Sequence, residues 1–582
     1  MLSVIRNRVR LREQRSLLLA GVCFGFMVLG VSYLDEDAFI SFRVVDNFVN
    51  GYGLRWNVDE RVQVFTHPLW VLLLIPLHAL FRDIAVSSYL LSWTLSCAAF
   101  LLVGAQLSKR RKLLFFGLLL PLLVSQSFTD YTSSGLENPL VFLWLALLAR
   151  QLFNEQVSLR WVVLLAAFAA ISRPDTPLMF LPAVAWLLWV TPWRRAVMDS
   201  FIGAIPALLW ALFALGYYGI LFPNPKYAKL NGGVERSVYL EHGWLYLVDV
   251  LRNDTVTSVG LVLAPCFVGA VVVVRGRAPI VCSGVNGAEP GASPSSAEGA
   301  HPWRAALTQS GAQRAALLLG GVVLYQLYVI WIGGDFMAGR HWAAPYFLTV
   351  STLSLWSAQQ PADREDQLSL AVVAVVLFAR FGLQPLIAER DVIDERSQDR
   401  YAMIRSGQLR VQRFNCGFFE ALFAPRGGPE KHSWSRRGLK DRDRARAFKR
   451  RHPNQNYVVG FSAAGKAPFF AGPEVIYVDT LGIVDPLLAR LPDADGKVRI
   501  IGHLGRKIPR GYLEARRKGN LSGMHPDLAR YYEHLRQLTS APLFSSERWH
   551  QIAAWNSGQA DVYLERYLKA RGGSRYRDRP WP

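Results

Sequence analysis

Long apolar runs alternate with short polar segments along the first two thirds of this 582-residue chain. Beyond residue 389, no run approaches the roughly 18 apolar residues that a membrane span requires. The pattern therefore predicts a polytopic α-helical membrane domain in residues 1–388 and a soluble domain in residues 389–582. A soluble part of this size can bury a hydrophobic core of its own.

The apolar runs predict about eleven transmembrane helices. They lie near residues 16–33, 85–107, 113–128, 139–153, 161–171, 177–190, 201–220, 256–274, 315–332, 343–356 and 368–387. The run at residues 69–81 is about thirteen residues long, which suits an interfacial or re-entrant helix better than a span. We therefore expect residues 34–84 to form one outer loop that contains interfacial helices.

Basic residues indicate the side of the membrane that each polar segment faces. Five arginines precede the first apolar run, so we expect the amino terminus in the cytoplasm and an uncleaved anchor. When residues 69–81 are not counted as a span, the basic cluster at residues 109–112 falls inside. The Gly/Ala/Ser/Pro-rich loop 276–314 is then a flexible cytoplasmic linker, and the carboxy-terminal domain is extracytoplasmic.

The net charge of +21 and the pI of about 9.9 raise the question of nucleic-acid binding. In a multi-pass protein, topology and anionic lipid explain much of the Lys and Arg excess. We therefore expect a lipid bilayer, and no nucleic acid, as a partner. The five cysteines form no CxxC pair and no Cys/His cluster, which gives no sign of a disulfide framework or a zinc site.

Local patterns in the carboxy-terminal domain predict an α/β or α+β fold. Residues 475–480 have the composition of a buried strand, and residues 526–538 and 560–570 have the spacing of amphipathic helices. The dense basic run at residues 433–451 fits a solvated loop or helix face better than a patch for an anionic ligand.

Three carboxylates, Asp35, Glu36 and Asp37, directly follow the first apolar run. Their mutual repulsion at a membrane boundary raises the pKa of at least one of them or recruits a cation, and either outcome suits catalysis. The alternative is structural, because Asp37 can cap the helix expected at residues 39–50. Spacing alone supports the two interpretations equally.

Further polar joints are expected on the same outer face. They occur at residues 132–139, 172–175, 222–229 and 333–341, and carry Glu137, Arg173, Asp175, Lys226, Lys229, Asp335, Arg340 and His341. Each joint alone is more typical of a turn that ends a helix. Together they place carboxylates beside Arg and Lys, as transfer from a phosphate-linked donor requires: a base for the acceptor hydroxyl and cations for the departing phosphate.

The ordered motifs SGLENP, SRPD, PNPKYAK and GGDFMAGRH, after the segment DEDAFISFR, resemble the GT-C-fold membrane glycosyltransferases. In particular, they are similar to the family of the mycobacterial terminal β-(1→2)-arabinofuranosyltransferase and its proteobacterial relatives. The resemblance covers the membrane half and extends to residues 479–486, 502–503 and 509–512.

This resemblance implies a GT-C-like fold and inverting transfer of a sugar from a polyprenyl-phosphate donor. In the known relatives the sugar is D-arabinofuranose; mannose, aminoarabinose or another polyprenyl-linked sugar would require no different residues. The acceptor that it implies is an envelope glycan or glycoprotein outside the bacterial inner (cytoplasmic) membrane.

In that family an acidic pair in the first outer loop is the catalytic centre, and it corresponds here to Glu36 and Asp37. The first position is Glu instead of the usual Asp, which lengthens the reach of the carboxylate by one methylene. We therefore assign Asp37 as the general base and Glu36 as a metal or hydroxyl ligand, with Asp35 able to substitute. The sequence leaves open whether Glu36 and Asp37 bind a divalent metal.

The outer joints contain candidate residues for binding the phosphate and sugar of the donor. These candidates are Lys226, Lys229, Arg340, His341, Arg173, Asp335 and Glu137. His341 taken alone is more typical of a structural histidine.

A polytopic transporter or flippase of a lipid-linked or small polar substrate is the alternative, because charges among many spans also suit transport. However, no internal repeat relates the two halves of the sequence, and the charges gather at one expected membrane edge. A scaffold with a glycan-binding outer domain would not need acidic and basic motifs on five outer loops. We therefore favour a glycosyltransferase.

Overall fold

The computed structural model describes residues 2–154, 156–230, 234–277, 311–379, 433–493 and 502–571. Most of the linker expected at residues 276–314, and residues 389–432 of the expected soluble domain, lie outside these ranges. The α-helices of the amino-terminal part are Leu2–Gly30, Ala38–Val49, Pro68–Phe81, Ile84–Gln106, Leu120–Val124, Gln126–Asp130, Asn138–Phe153, Leu159–Ser172, Leu181–Val190, Trp193–Tyr218, Asn224–Leu230, Arg236–Asn253, Thr255–Arg277, Gly311–Trp331, Ala343–Ala358 and Glu365–Leu377. A π-helix at Leu113–Leu119 and 3₁₀ helices at Thr176–Met179 and Ala362–Arg364 accompany them.

Five helices of the described residues are long and apolar enough to cross a membrane. They are Leu11–Gly30, Ile84–Gln106, Trp193–Tyr218, Thr255–Val273 and Gly311–Trp331. Each corresponds to an expected span, which supports the membrane class, whereas the number of eleven stays a prediction. The helix Pro68–Phe81 has 14 residues, so it is about 21 Å long and shorter than the roughly 30 Å hydrocarbon core.

Small residues allow close helix packing in this part of the chain. The helix Trp193–Tyr218 packs against Leu159–Ser172, and a Cβ built on Gly203 would lie 2.8 Å from the Val163 side chain. Glycine at such a point lets two backbones approach closely, as is common between membrane helices.

The carboxy-terminal segment, which we define as the described residues 433–493 and 502–571, combines a small sheet with helices. Strands β1 (Tyr457–Phe461) and β2 (Val475–Asp479) pair in parallel, with Tyr457 opposite Val475. All five residues of β2 are buried, so the strand expected at residues 475–480 is confirmed.

The helices of this segment pack against the sheet or against one another. They are Ser433–Arg451, Lys466–Ala471, Tyr512–Lys518, Pro526–Ser540, Ser546–Asn556 and Asp561–Ala570, with a 3₁₀ turn at Leu488–Arg490. Both predicted amphipathic helices are confirmed, and the basic run is a helix. A second hydrophobic core forms beneath these helices and includes Leu528, Leu535 and Leu564.

Buried polar contacts join the carboxy-terminal segment to the first outer loop. Arg516 donates to Glu60 through two hydrogen bonds of 2.7 Å. Arg43, on the helix that follows the acidic residues 35–37, donates from Nη2 to the Val475 carbonyl at 2.9 Å. Bidentate and charge-assisted bonds of this kind are strong and geometrically specific. The segment is therefore held against the loop that carries Asp35.

Candidate active site

Charged side chains from several polar joints meet in one place. They are Asp37, Glu137, Arg173, Asp175, Asp335, Arg340 and His341, and we call them the charged cluster. All of them come from joints that the sequence predicts on one outer face. Their mutual contact is a structural observation, and the side of the membrane on which they lie stays a prediction.

Glu137 lies at the centre of the charged cluster. It occupies the N-cap position of the helix Asn138–Phe153 but makes no capping hydrogen bond. Its carboxylate instead lies 3.3 Å from His67 Nδ1, 3.4 Å from Arg173 Nη1 and 3.6 Å from Arg340 Nη2. Burial raises the pKa of Glu137, but His67 and the two guanidinium groups outweigh burial and lower this pKa to about 2. Glu137 is therefore an anion that organises three side chains.

Short hydrogen bonds hold the Arg173 guanidinium in place. Its Nε donates to Asp175 at 2.8 Å, and its Nη2 donates to Nδ1 of His341 at 2.7 Å. Because a guanidinium can only donate, Nδ1 accepts, and the proton of the neutral ring is on Nε2, 3.5 Å from Asp335. Burial and the Arg173 charge lower the pKa of His341, which agrees with a neutral imidazole. Tyr325 completes this group by donating to Asp175 at 3.1 Å.

Arg340 is held more loosely, by three carboxylates at once. Its Nη1 lies 3.5 Å from both Asp37 and Asp335, and its Nη2 lies 3.6 Å from Glu137. These distances exceed those of good hydrogen bonds. The Nε atom has no hydrogen-bond partner within the residues that the structure describes. Arg340 therefore has no short charge-assisted hydrogen bond to any of these three carboxylates.

The three acidic residues of the first loop face different partners. Asp37 is at the N-cap position of the next helix but makes no side-chain capping bond, so its geometry does not support the capping interpretation. Glu36 Oε1 accepts from the backbone N–H of Lys466 at 2.7 Å. Asp35 Oδ1 accepts from the backbone N–H of Asp37 at 2.9 Å. Asp37 is thus the member of the three that faces Arg340.

Asp35 and Asp37, which flank Glu36 in the chain, repel each other electrostatically. Burial raises the pKa of Asp35 to about 8, and the charge of Asp37 adds to this rise. Asp35 therefore holds a proton at neutral pH, so that the two adjacent carboxyl groups need not both be charged. One pKa in this loop is therefore raised, as the sequence predicts, but burial contributes more to the rise than repulsion does.

The two predicted lysines lie on the short helix Asn224–Leu230. Lys226 Nζ lies 3.3 Å from the centroid of the Phe222 ring, and no contact joins this side chain to the charged cluster. Neither Lys226 nor Lys229 forms an ion pair with a carboxylate of the described ranges. Lys229 is the nearer of the two to the charged cluster, because its charge acts on Asp335.

Asp335 is a second firmly ionised carboxylate. Its Oδ1 accepts from the backbone N–H of Phe336 at 2.8 Å. Burial raises the pKa of Asp335, but hydrogen bonding to His341 and the charges of Arg340 and Lys229 bring it well below its usual range. The charged cluster therefore keeps Asp335 as an anion within the electrostatic influence of Lys229, which forms no ion pair within the described ranges.

The carboxy-terminal segment holds the lysine-bearing helix in position. Asn224 Nδ2 donates to the carbonyl oxygens of Gly482 and Ile483, at 2.9 Å and 3.0 Å. Arg506 Nη2 donates to the carbonyl oxygen of Ala228, the residue before Lys229. Both ends of the PNPKYAK motif therefore depend on side chains or carbonyls that lie beyond residue 480.

The donor set does not fit a divalent metal as the side chains are arranged. The described ranges contain no group of three or more His, Cys, Asp or Glu side chains that could hold a metal ion. Glu36 and Asp37, the predicted ligands, face the Lys466 backbone and Arg340, respectively. A cation at Asp37 would share the carboxylate with a guanidinium, so we derive no step through a metal.

Sequence reasoning missed several polar residues around the charged cluster. His67 Nε2 hydrogen-bonds to Ser41 Oγ at 2.6 Å, and Tyr246 donates to the Met337 carbonyl at 2.9 Å. Tyr325 lies in an apolar helix whose pattern gives no functional signal. For His67, the sequence signal is weak: it is a polar residue directly before Pro68, which begins a helix.

Two curated proteins are similar to this chain in sequence. The terminal β-(1→2)-arabinofuranosyltransferase of Mycobacterium tuberculosis is 26% identical over 371 residues, covering 60% of this chain and 56% of the relative. The protein of the same name from Corynebacterium glutamicum is 26% identical over 418 residues, covering 62% of this chain and 54% of the relative. The resemblance inferred from the motifs is confirmed by these matches.

This chain spans about half the length of the curated relatives that it matches. No protein-family model matches it, and no solved structure gives a significant match.

Proposed function

We propose that this protein is an inverting membrane glycosyltransferase that acts on the outer face of the bacterial inner membrane. It transfers a sugar, D-arabinofuranose, from a polyprenyl-phosphate donor to an envelope glycan or glycoprotein. The observation that carries the proposal is the position of Asp37 beside Arg340, in a chain similar to two proteins named arabinofuranosyltransferases. A carboxylate next to a loosely held cation suits acceptor activation and phosphate departure in the same step.

Asp37 acts as the general base in this reaction. The acceptor hydroxyl gives its proton to the Asp37 carboxylate while its oxygen forms a bond to the anomeric carbon. The bond between that carbon and the phosphate oxygen breaks, and polyprenyl phosphate leaves with the electron pair. A single displacement of this kind inverts the anomeric configuration. Asp35, whose pKa is about 8, stays protonated and does not compete for the role.

Lys229 and Arg340 stabilise the departing phosphate. Lys229 forms no ion pair within the described ranges, and the contacts of Arg340 are 3.5–3.6 Å long. Both cations are therefore available to a phosphate, whose oxygens prefer charge-assisted bonds of about 2.7–2.9 Å. Arg173 is committed to Asp175 and His341, so it positions the charged cluster and does not bind the donor.

The apolar helices fit a lipid-linked donor. Five of them match the length and composition of membrane spans, and a polyprenyl chain can lie between such helices while its phosphate meets the polar joints. A transporter or flippase has less support, because both similar proteins are named as transferases.

Asp37→Asn tests the proposal directly. The purified variant, supplied in nanodiscs with decaprenyl-phosphate arabinose and an arabinofuranosyl oligosaccharide, should fold normally and lose transfer by a factor of about 10² to 10⁴. Asp46→Asn is the matched control, because Asp46 pairs with His78 away from the charged cluster. Full turnover by a folded Asp37→Asn protein would contradict the assignment.

Glu36→Gln separates two roles for the neighbouring carboxylate. Glutamine keeps an oxygen that can accept from the Lys466 N–H, so a positioning role predicts retained transfer. A loss of transfer equal to that of Asp37→Asn would support the alternative role of a hydroxyl or metal ligand, and added Mg²⁺ or a chelator would distinguish these two.

A further inference from the structure

The carboxy-terminal segment brings one histidine, His503, to the edge of the charged cluster. Gly502 precedes it with a φ of +85°, in the left-handed region that glycine adopts readily. A Cβ built on Gly502 would lie 3.4 Å from Nζ of Lys229. The backbone therefore passes directly beside Lys229 before it places the imidazole of His503.

Phe336 fixes the orientation of the His503 ring. The two ring centroids are 4.3 Å apart and the planes are at 89°, an edge-to-face contact. Phe336 follows Asp335 of the charged cluster in the chain. The histidine is thus oriented by the same joint that carries Asp335 and Arg340.

One nitrogen of this ring has no hydrogen-bond partner among the described residues. Nδ1 of His503 is buried and has no hydrogen-bond partner in the part of the chain that the structure describes. Buried polar atoms in folded proteins are nearly always paired with protein or solvent. An oriented ring with a buried, unpaired nitrogen at the edge of an active site is what a substrate-binding residue requires.

The surroundings of His503 indicate what this nitrogen binds. Burial lowers the pKa of His503, with the charges of Asp37 and Lys229 acting in opposite directions. The ring is therefore neutral at neutral pH, where it can donate one hydrogen bond and accept another. A neutral group suits a hydroxyl better than a phosphate, for which Lys229 is available.

We propose that His503 binds the acceptor, through a hydrogen bond between Nδ1 and a sugar hydroxyl adjacent to the one that attacks. This inference rests on the proposed function. The general base Asp37 must contact the attacking hydroxyl, so the rest of the acceptor sugar lies around Asp37. The neutral ring of His503 is close enough for the charge of Asp37 to act on it, and it can therefore bind another hydroxyl of the same sugar. The carboxy-terminal segment thereby supplies a residue that touches substrate.

Substitution by two amides tests the contact atom by atom. The amide of asparagine can take the place of Nδ1, whereas the amide of glutamine reaches the place of Nε2. Steady-state kinetics in nanodiscs with decaprenyl-phosphate arabinose and an arabinofuranosyl oligosaccharide would compare His503→Ala, His503→Gln and His503→Asn. His550→Ala, at an exposed histidine of the same segment, is the matched control.

We expect His503→Ala and His503→Gln to raise the KM for the oligosaccharide about tenfold, as for a lost hydrogen bond, with the KM for the donor unchanged. His503→Asn should restore most of the wild-type value. An unchanged acceptor KM in a folded His503→Ala protein, or a rise in the donor KM instead, would overturn the inference.

A second measurement avoids substituted proteins altogether. Diethylpyrocarbonate modifies histidines that it can reach, and the side chain of His503 is only partly buried although its Nδ1 is buried. Mass spectrometry reports the site of modification. The oligosaccharide should protect His503 in the wild-type protein, and protection by donor alone would contradict acceptor binding. If the wild-type protein transfers no sugar from the polyprenyl-phosphate donor, the proposed function is wrong. If it transfers sugar but the acceptor does not change the modification of His503, only this inference is wrong.

Discussion

Asp35→Asn should remove a titration that destabilises the protein at alkaline pH. Burial, with the nearby charge of Asp37, raises the pKa of Asp35 from 3.8 to about 8. In the unfolded chain this group is ionised above about pH 4. The native state therefore binds a proton that the unfolded state lacks. Its contribution to stability is fully present below pH 4 and is lost as the pH rises through 8.

The size of the effect follows from the proton released between pH 7 and pH 9. Over this window the unfolded state stays ionised, while native Asp35 passes from mostly protonated to mostly ionised. Integration of the linkage relation gives a loss of at most about 1.4 kcal/mol in the free energy of unfolding. Partial solvent exposure of Asp35 screens the charge and reduces the measured value.

Thermal inactivation in nanodiscs at pH 7, 8 and 9 provides the assay. The midpoint of the wild-type protein should fall with pH relative to that of Asp35→Asn, because asparagine is neutral and can still accept from the Asp37 N–H. The variant should also keep transferring sugar, since Asp37 remains beside Arg340. If the thermal midpoints of the two proteins changed with pH in parallel, the titration argument would be refuted. If a folded Asp35→Asn protein lost transfer, Asp35 would be the general base instead of Asp37.

Two further substitutions test how the carboxy-terminal segment supports the site. Arg516→Met leaves Glu60 buried without its partner and should destabilise docking by about 3–5 kcal/mol, seen as earlier protease cleavage on heating. Adding Glu60→Gln should recover part of this loss. Arg506→Met removes the donor to the Ala228 carbonyl and should raise the KM for the lipid donor more than it lowers kcat, through movement of Lys229. If the variant had a lower melting temperature but an unchanged KM for the lipid donor, Arg506 would have only a structural role.

Much of the charged cluster can be predicted from the sequence, because its residues stand at the ends of apolar runs. Glu137 and Arg173 flank helices in the positions where polar joints were expected. Helix ends in a bundle meet at its two faces, so joints separated widely in the chain gather in space. The apolar composition of residues 475–480 likewise predicts β2, and the amphipathic spacing of residues 526–538 predicts the helix Pro526–Ser540.

The directions of individual side chains could not be predicted in this way. Asp35, Glu36 and Asp37 are consecutive, yet they contact a backbone N–H of their own loop, the distant Lys466 and the distant Arg340. Which carboxylate meets which partner depends on the docking of residues more than 300 positions away. Local pattern contains no information on such contacts, and the same limit explains why the placement of His503 emerged only from the fold.

The charges of the site divide the predicted donor-binding residues into two groups. Arg173 has short bonds to Asp175 and His341, and Glu137 is ionised beside it, so its charge is already balanced. A phosphate that approached this end would meet excess carboxylate. Lys229, by contrast, has no ion pair within the described ranges, and the backbone of Gly502 lies against it. Under the proposed function, the phosphate of the lipid donor therefore lies beside Lys229, where the amino-terminal part and the carboxy-terminal segment meet, and both parts contribute to one active site.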